Sequence, residues 1–224
     1  VQTEHPTPIA PDPRPIMEFI GDSITEGVLI DTDYCEGTHA AYEIDQLNRP
    51  YMDDVCATWS WLTAEALGYR PLVMGYGAVG ATRAGCGRVP AAPDSYPYFF
   101  DGEPLEGLPA ADVVVINHGG NDGSHTPEEY RAGYTRLLDE VRARSPQAEV
   151  FAVSAFCGRQ KDTLEALVKM IRTEGIDHSP RLYVRVDSAR RVVVDSTYTG
   201  RDYAQYSRLP LYEAVSDVPS ITTN

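Results

Sequence analysis

Residues 16–27 read IMEFIGDSITEG and join a short apolar run to a polar turn. The run from Ile16 to Ile20 has the length and composition of a strand, and Gly21 marks its end. Ser23 follows two residues later, beside the predicted start of a helix. A strand that passes directly into a helix opens an α/β unit, and the rest of the chain continues this pattern.

Four later segments also have the apolar composition of short strands. They are Pro71 to Met74, Asp112 to Asn117, Glu149 to Phe156 and Leu182 to Val186. Helical patterns cover residues 52–67, residues 126–144 and a segment from Asp162 to Gly175. This alternation predicts an α/β domain with a parallel five-stranded sheet that is covered on both faces. After Ser188 the pattern weakens, although residues 192–194 have the composition of one more strand.

The helix over residues 126–144 has a clear start signal. Thr126 is the predicted N-cap, Pro127 takes the first helical position, and Glu129 completes a capping box. Arg144 is its predicted end.

Three glycine-rich polar turns each follow a predicted strand. They are residues 21–27, 75–80 and 119–123. The carboxyl ends of parallel strands share one edge of a sheet, where ligands bind in open α/β folds. Ser23 offers a hydroxyl nucleophile, Gly77 permits close approach of a backbone N–H, and Asn121 offers an amide donor. Two or three such donors around a serine form an oxyanion hole for acyl transfer.

Composition excludes some classes of partner. The chain has 224 residues, enough for one domain with a sizeable core. Hydrophobic residues make up 42%, and no apolar stretch approaches the roughly 20 residues that a membrane helix needs. The 33 acidic and 19 basic residues give a formal net charge of −14. This charge would repel nucleic acid and anionic membranes, so a neutral substrate is the expected partner.

The start of the chain differs in composition from the rest. Residues 5–15 read HPTPIAPDPRP, and alternating prolines favour an extended, semi-rigid segment. We therefore expect a proline-rich leader over residues 1–15 and one domain over residues 16–224, with an atypical tail from about residue 188. The cysteines form no CxxC pair, and both disulfides in a secreted protein and buried thiols remain open. They are Cys35, Cys56, Cys86 and Cys157.

Three blocks resemble the signature blocks of the SGNH (GDSL-type) hydrolases. They are FIGDSITEG at residues 19–27, GYGAVG at residues 75–80 and GGNDG at residues 119–123. Their order and spacing are similar to those of the family, and the resemblance covers residues 16–187. One departure is Gly75, where the family usually has Asn. The resemblance implies a three-layer α/β/α, flavodoxin-like fold and ester hydrolysis through an acyl-enzyme, without metal or organic cofactor.

The resemblance also assigns roles to individual residues. Ser23 would be the nucleophile, and its backbone N–H, that of Gly77 and the side chain of Asn121 would form the oxyanion hole. The residues that would lie at the substrate are Asp22, which also shapes the first turn, Gly119 and Gly120.

The base that should activate Ser23 is not in its usual place. In the family a DxxH block near the C-terminus supplies a histidine, but here no histidine follows His178. His125 ends a DxxH sequence on the predicted rim and is a candidate base, as is His39 in the loop after the first block. We expect a structural role for His118 and place His178 at the opposite end of the sheet. Three further explanations stay open: residues beyond this sequence, a diverged tail, and a histidine from a partner subunit.

Two long segments at the predicted rim, residues 29–52 and 86–109, are rich in aromatic residues. These are Tyr34, Tyr42, Tyr51, Tyr96, Tyr98, Phe99 and Phe100. Such side chains suit sugar rings or small aromatic esters, and surface packing explains them equally well. No long apolar channel is evident, so we expect short-chain acyl esters, such as O-acetyl groups on carbohydrate, and a secreted protein.

Two different classes of protein would share parts of this pattern. A non-catalytic binding module would retain the pocket and lack the base. A flavodoxin-like nucleotide binder is disfavoured, because Asp22 and Glu26 beside the first turn would repel a phosphate group.

Overall fold

The computed structural model describes residues 11–30, 52–173 and 182–184. Its strands are β1 (Ile16–Gly21), β2 (Arg70–Gly75), β3 (Tyr98–Phe100), β4 (Glu103–Pro104), β5 (Val113–Asn117), β6 (Glu149–Val153) and β7 (Leu182–Val184). Five of them form one parallel sheet in the order β2-β1-β5-β6-β7. Strands β3 and β4 form a separate antiparallel pair.

The five-stranded sheet confirms the predicted fold class. Counted along the chain, its strands lie in the order 2-1-3-4-5, which is that of flavodoxin-like folds. The chain runs outward from β1 to β2 and then crosses back to β5, so the strand order reverses between β1 and β5. Ligand sites in such sheets lie at this reversal, beyond the carboxyl ends of the strands.

Helices cover both faces of the sheet and complete the three predicted layers. They are α1 (Ser23–Glu26), α2 (Trp59–Ala66), α3 (Ala92–Ser95), α4 (Pro127–Arg144) and α5 (Lys161–Thr173). On the face covered by α1 and α2, Trp59 makes edge contacts with the rings of Phe19 and Phe156. On the other face, α3, α4 and α5 bury side chains such as Tyr130 and Leu164.

Helix α4 begins as predicted from its local sequence. The N–H of Glu129 donates to Thr126 Oγ1 at 3.2 Å, and the N–H of Thr126 donates to Glu129 Oε2 at 2.8 Å. Pro127 follows the N-cap, and the helix ends at Arg144. A capping box of this kind depends on neighbours in sequence, which is why the pattern predicted it correctly.

The continuous helix predicted over residues 52–67 is wrong in its first half. A 3-10 turn occupies Val55–Ala57, and α2 begins only at Trp59. Asp54 caps the first turn and Thr58, which has extended backbone angles, caps the second. Each capping side chain satisfies N–H groups of its own turn, and this competes with one unbroken helix.

A charged side chain lies inside the apolar strand β1. Glu18 is fully buried, and its carboxylate accepts hydrogen bonds from Arg144 Nη1 and, at 3.0 Å, from Tyr96 Oη. Burial raises the pKa of Glu18, while the charge of Arg144 opposes that shift. Tyr96 is only 2% exposed, so it belongs to the core and not to the substrate rim predicted for it.

We expect Arg144→Met to destabilise the protein by roughly 3–5 kcal/mol, because it leaves the Glu18 carboxylate buried without its cation. The free energy of unfolding in urea measures the effect. Arg136→Met is the matched control on the same helix, since Arg136 is 60% exposed and pairs with Asp94 at the surface. Arg136→Met should lower the free energy of unfolding by less than about 1 kcal/mol. Equal losses in the two variants would contradict the prediction.

Several sequence predictions fall on residues outside the described ranges. They concern the leader up to residue 10, the helix end at Gly175, and the tail with the strand proposed for residues 192–194. Cys56, Cys86 and Cys157 have free thiols, and Cys35 lies outside the described ranges. Within residues 11–30, 52–173 and 182–184, no helix is both long enough and apolar enough to cross a membrane.

Candidate active site

The three glycine-rich turns begin at one level of the sheet. In the pairing of β1, Gly21 is level with Gly75 of β2 and with Asn117 of β5. Each of these residues ends its strand, and the turns continue from neighbouring positions on three adjacent strands. The topology therefore brings the segments that contain Ser23 and Asn121 to the reversal of the strand order.

Ser23 lies in a tight connection between strand and helix. It is the first residue of α1, a four-residue helix that directly follows β1. The N–H of Ile24 donates to Asp22 Oδ1 at 3.0 Å, and Gly27 ends the helix with a φ of 95°. These contacts fix the backbone on both sides of Ser23, whose exposed fraction is 6%.

Two backbone donors near this turn have no acceptor among the described residues. The N–H groups of Ser23 and Gly77 donate no hydrogen bond within this part of the chain, although both residues are buried. Most buried backbone N–H groups in proteins are paired. Unpaired donors on adjacent turns suit a negatively charged ligand oxygen.

The side chain of Asn121 bridges the three turns. Its Nδ2 donates to Asp22 Oδ2 in the first turn at 3.1 Å. The same nitrogen donates to the carbonyl oxygen of Val79 in the second turn at 3.0 Å. Both amide hydrogens thus have an acceptor, and a bound oxyanion would have to share one of them.

Asp122 holds the second turn against the third, a role that its position in the GGNDG block did not reveal. Its Oδ1 accepts from the N–H of Thr82 at 2.8 Å and from the Thr82 hydroxyl at 2.6 Å. Its Oδ2 accepts from the N–H of Ala81 at 3.1 Å. Gly80 permits this approach, because a Cβ there would lie 2.4 Å from Asp122 Oδ1.

Helix α1 contacts β2 directly at Gly75. A Cβ at this residue would lie 2.5 Å from the backbone nitrogen of Glu26 and 2.8 Å from its Cα. No side chain fits in so short a gap. The glycine that departs from the family pattern is therefore the residue that lets the helix bearing Ser23 pack on the sheet.

The three residues expected at the substrate also have close contacts within the protein. Asp22 is 5% exposed, and burial raises its pKa to about 7, with the charges of Asp122 and Glu26 adding to the shift. Gly119 has a φ of 134°, a conformation that favours glycine. A Cβ at Gly120 would lie 3.2 Å from Asp22 Oδ2, so this glycine lets the third turn approach the first.

No imidazole of the described residues forms a hydrogen bond with Ser23. The backbone N–H of His125 donates to the carbonyl oxygen of Asp122 at 3.2 Å, and its Nδ1 has no partner in this part of the chain. His39 and His178 lie outside the described residues. No cluster of three or more His, Cys, Asp or Glu side chains that could hold a metal ion occurs within residues 11–30, 52–173 and 182–184.

His118 is enclosed beneath the third turn. It is 1% exposed, and its Nδ1 has no hydrogen-bond partner in the described chain. Burial lowers the pKa of His118 to about 4, although the charge of Asp122 opposes this shift. The expected structural role is consistent with an imidazole that stays neutral inside the protein.

The buried His118 makes stability depend on pH. Between about pH 4 and 6.5 the unfolded chain binds a proton here that the folded chain does not, so its contribution to stability rises with pH. Across this range the contribution of His118 to the free energy of unfolding changes by about 3 kcal/mol. In His118→Gln, the free energy of unfolding relative to the wild type should fall as pH rises through this window. Urea unfolding at pH 4.5, 5.5 and 6.5 measures it, and parallel curves for the two proteins would contradict the assignment.

An aromatic groove of about 740 Å³ opens beside the second turn. Tyr76 of that turn lines it together with the β3–β4 hairpin. Tyr98, Phe99 and Phe100 of the hairpin are 42%, 43% and 69% exposed, and Asp101 adds a charged group to the lining. The other aromatic residues predicted at the rim lie outside the described residues; they are Tyr34, Tyr42 and Tyr51.

Fold and site together define a three-layer α/β/α protein with a serine at the start of a helix, at the carboxyl edge of a parallel sheet. The sequence profile of the GDSL-like lipase/acylhydrolase family matches residues 19–210. The chain belongs to this family. No curated protein sequence gives a significant match to the chain.

Solved structures of carbohydrate esterases share the fold. A family two carbohydrate esterase from Clostridium thermocellum, in complex with cellohexaose, matches with a TM-score of 0.67 and 22% identity over 93% of this chain and 66% of that chain. The acetyl xylan esterase Est2A from the rumen bacterium Butyrivibrio proteoclasticus matches with a TM-score of 0.65 and 15% identity over 92% of this chain and 64% of that chain. A family two carbohydrate esterase from Cellvibrio japonicus matches with a TM-score of 0.62 and 22% identity over 95% of this chain and 64% of that chain. The chain spans 64–66% of the length of these proteins, and identities this low establish a common fold alone.

Proposed function

We propose that this chain is a serine esterase that removes short acyl groups, above all acetyl, from carbohydrate esters. The observation that carries the proposal is the common level of the three turns that contain Ser23, Gly77 and Asn121. The backbone N–H groups of Ser23 and Gly77 have no acceptor among the described residues, and the side-chain amide of Asn121 is held toward the other two turns. Such a set of donors stabilises the tetrahedral intermediate of acyl transfer.

The reaction begins when a base takes the hydroxyl proton of Ser23 and Oγ attacks the acyl carbon. The carbonyl oxygen becomes negative and accepts hydrogen bonds from the three donors. When this intermediate collapses, the bond from the acyl carbon to the sugar oxygen breaks, and that oxygen takes the proton from the base. The acetyl group stays on Ser23 until a water molecule, deprotonated by the same base, releases acetate and restores the hydroxyl.

We assign the base to His125. His118, the other described histidine, is enclosed, and its low pKa marks it as part of the interior. His125 is partly exposed and lies just after the third turn, four residues beyond Asn121, on the connection that follows β5. Its Nδ1 has no partner among the described residues, so one nitrogen is uncommitted.

Hydrolysis of p-nitrophenyl acetate tests the nucleophile. Ser23→Ala should lower kcat/KM by at least about a thousandfold, because the acyl-enzyme cannot form. Release of p-nitrophenol at 400 nm against a protein-free blank is the measurement. The dodecanoate ester should be a much poorer substrate, because the proposed function is the removal of short acyl groups.

Thermal unfolding should show that Ser23→Ala remains folded. Turnover by wild type and Ser23→Ala at equal rates would overturn the assignment of the nucleophile. His125→Gln in the same assay tests the base, with an expected loss of about 100-fold or more. Wild-type activity in that variant would remove His125 from the mechanism and leave Ser23 in place.

The groove beside the second turn suits the sugar part of the substrate. Aromatic faces at Tyr98 and Phe100 can stack on sugar rings, and Asp101 can accept hydrogen bonds from sugar hydroxyls. Tyr76 lines the groove and also precedes Gly77, so a sugar bound there would have its acyl group near the proposed oxyanion hole. A location outside the cell would suit a polysaccharide substrate and stays a prediction.

Phe100→Ala should raise KM for an acetylated xylo-oligosaccharide about fivefold, which corresponds to the loss of about 1 kcal/mol of apolar contact. KM for p-nitrophenyl acetate should not change, because that substrate does not need the groove. Leu67→Ala is the matched control, since Leu67 is 50% exposed at the end of α2 and does not line the groove. Acetate release measures both, and an unchanged KM for the oligosaccharide in Phe100→Ala would contradict the role of the groove.

A second candidate function is a non-catalytic carbohydrate-binding module. The observation that favours it is that no described imidazole forms a hydrogen bond with the hydroxyl of Ser23. Titration calorimetry with a xylo-oligosaccharide distinguishes the two functions. Binding by a folded protein that releases no p-nitrophenol would favour the module, and turnover that disappears in Ser23→Ala would favour the esterase.

A further inference from the structure

The carboxylate of Asp22 links the nucleophile turn to the proposed oxyanion donor. One oxygen, Oδ1, accepts from the N–H of Ile24 at 3.0 Å and so caps the helix that begins at Ser23. The other oxygen, Oδ2, accepts from Asn121 Nδ2 at 3.1 Å. The residue is 5% exposed, so water does not compete strongly for either contact.

We infer that Asp22 is a positioning residue for the proposed esterase reaction, and that its ionised carboxylate fixes the Asn121 amide beside the nucleophile turn, where a bound oxyanion would share one of its two N–H groups. This inference rests on the proposed function of the chain. It goes beyond the role of shaping the turn, because an N-cap needs only the oxygen that faces Ile24.

Both contacts of the Asp22 carboxyl are strongest in its ionised form, because a charged acceptor forms the stronger hydrogen bonds. Each oxygen faces an N–H donor, and neither donor can accept a hydrogen bond in return. A proton on either oxygen of Asp22 would take one of its acceptor positions and remove the negative charge, which weakens the hydrogen bond from the facing N–H group. A weaker contact at Oδ2 would leave the carbonyl oxygen of Val79 as the stronger acceptor for the Asn121 amide among the described residues.

The surroundings place this change in the neutral pH range. Burial raises the pKa of Asp22 to about 7, and the hydrogen bond from Ile24 opposes the shift. Three groups face the carboxyl from the elements around it: Glu26 on its own helix, Asp122 in the third turn and the thiol of Cys157 after β6. The two carboxylates disfavour ionisation of Asp22, so a modest change in pH alters how firmly Asn121 is held.

Asp22→Asn separates the two roles of the residue. Asn caps helices as well as Asp does, so the contact with Ile24 is kept. Its NH₂ group would then face Asn121 Nδ2, and two donors cannot bond to each other. A role limited to capping predicts wild-type activity, whereas positioning predicts that kcat falls about tenfold or more and KM changes less than threefold. Asp22→Ser, which also caps well, replaces this variant if Asp22→Asn does not fold.

Asp54→Asn is the matched control. Asp54 also caps a short helical turn, where its Oδ1 accepts from the N–H of Cys56 at 2.8 Å, and it has no contact with Asn121. This variant should keep the kcat of the wild type for p-nitrophenyl acetate. Thermal unfolding of all variants at pH 8 confirms that activities are compared between folded proteins.

A second readout does not depend on catalysis. The side-chain amide resonances of Asn121, assigned in a ¹H–¹⁵N spectrum by their loss in Asn121→Asp, should titrate in the wild type with a midpoint near pH 7. They should not titrate near that pH in Asp22→Asn. A wild-type kcat in Asp22→Asn, or Asn121 resonances that show no such midpoint, would each overturn the inference. Absence of turnover in the wild type would instead overturn the proposed function, and the resonances would still decide whether Asp22 controls Asn121.

Discussion

The hydrogen-bonded register of β1 is the constraint on which the site depends. This strand pairs in parallel with both β2 and β5, and its last residue, Gly21, is level with Gly75 and with Asn117. Parallel pairing alone would bring three turns to one edge of the sheet. The register also brings them to one depth, and only then can a single amide at Asn121 reach the other two turns. A slip of one residue in this pairing would move the side chains of β1 to the opposite face of the sheet, and the three turns would no longer begin at the same level.

Buried carboxylates brace this edge of the sheet. Asp22 and Asp122 each accept backbone N–H groups, and these contacts offset the cost of removing the carboxylates from water. The raised pKa of Asp22 shows that the offset is incomplete where two acidic groups share one interior region. Glu18, within β1 itself, is compensated differently, by the guanidinium of Arg144. Each of these three buried carboxylates therefore depends on specific partners.

The elements that could be predicted from sequence are those that local pattern determines. The apolar runs before Gly21 and the capping box at Thr126 contain their own signals, and both predictions were correct. Tyr96 could not be placed, because the partner that draws it into the core, Glu18, is 78 residues away. The predicted start of α2 was wrong because hydrophobic periodicity does not reveal the competing N-cap at Thr58. At the candidate site, the order of the turns followed from the sequence, whereas the contact between Asp22 and Asn121 required the register of the sheet. The histidine that would activate Ser23 stayed open, because no DxxH block occurs near the end of the sequence and the one at His125 overlaps the third block.

The glycine at position 75 has a consequence for protein engineering. Replacing unusual residues by those common among homologues usually stabilises a protein, because most positions tolerate the average choice. Position 75 is an exception, since any side chain there would collide with the backbone of Glu26 and lift α1 from β2. The close packing of α1 on β2 therefore requires glycine at this position. A consensus design that placed the usual Asn at position 75 of β2 would therefore also have to change the packing of α1 against this strand.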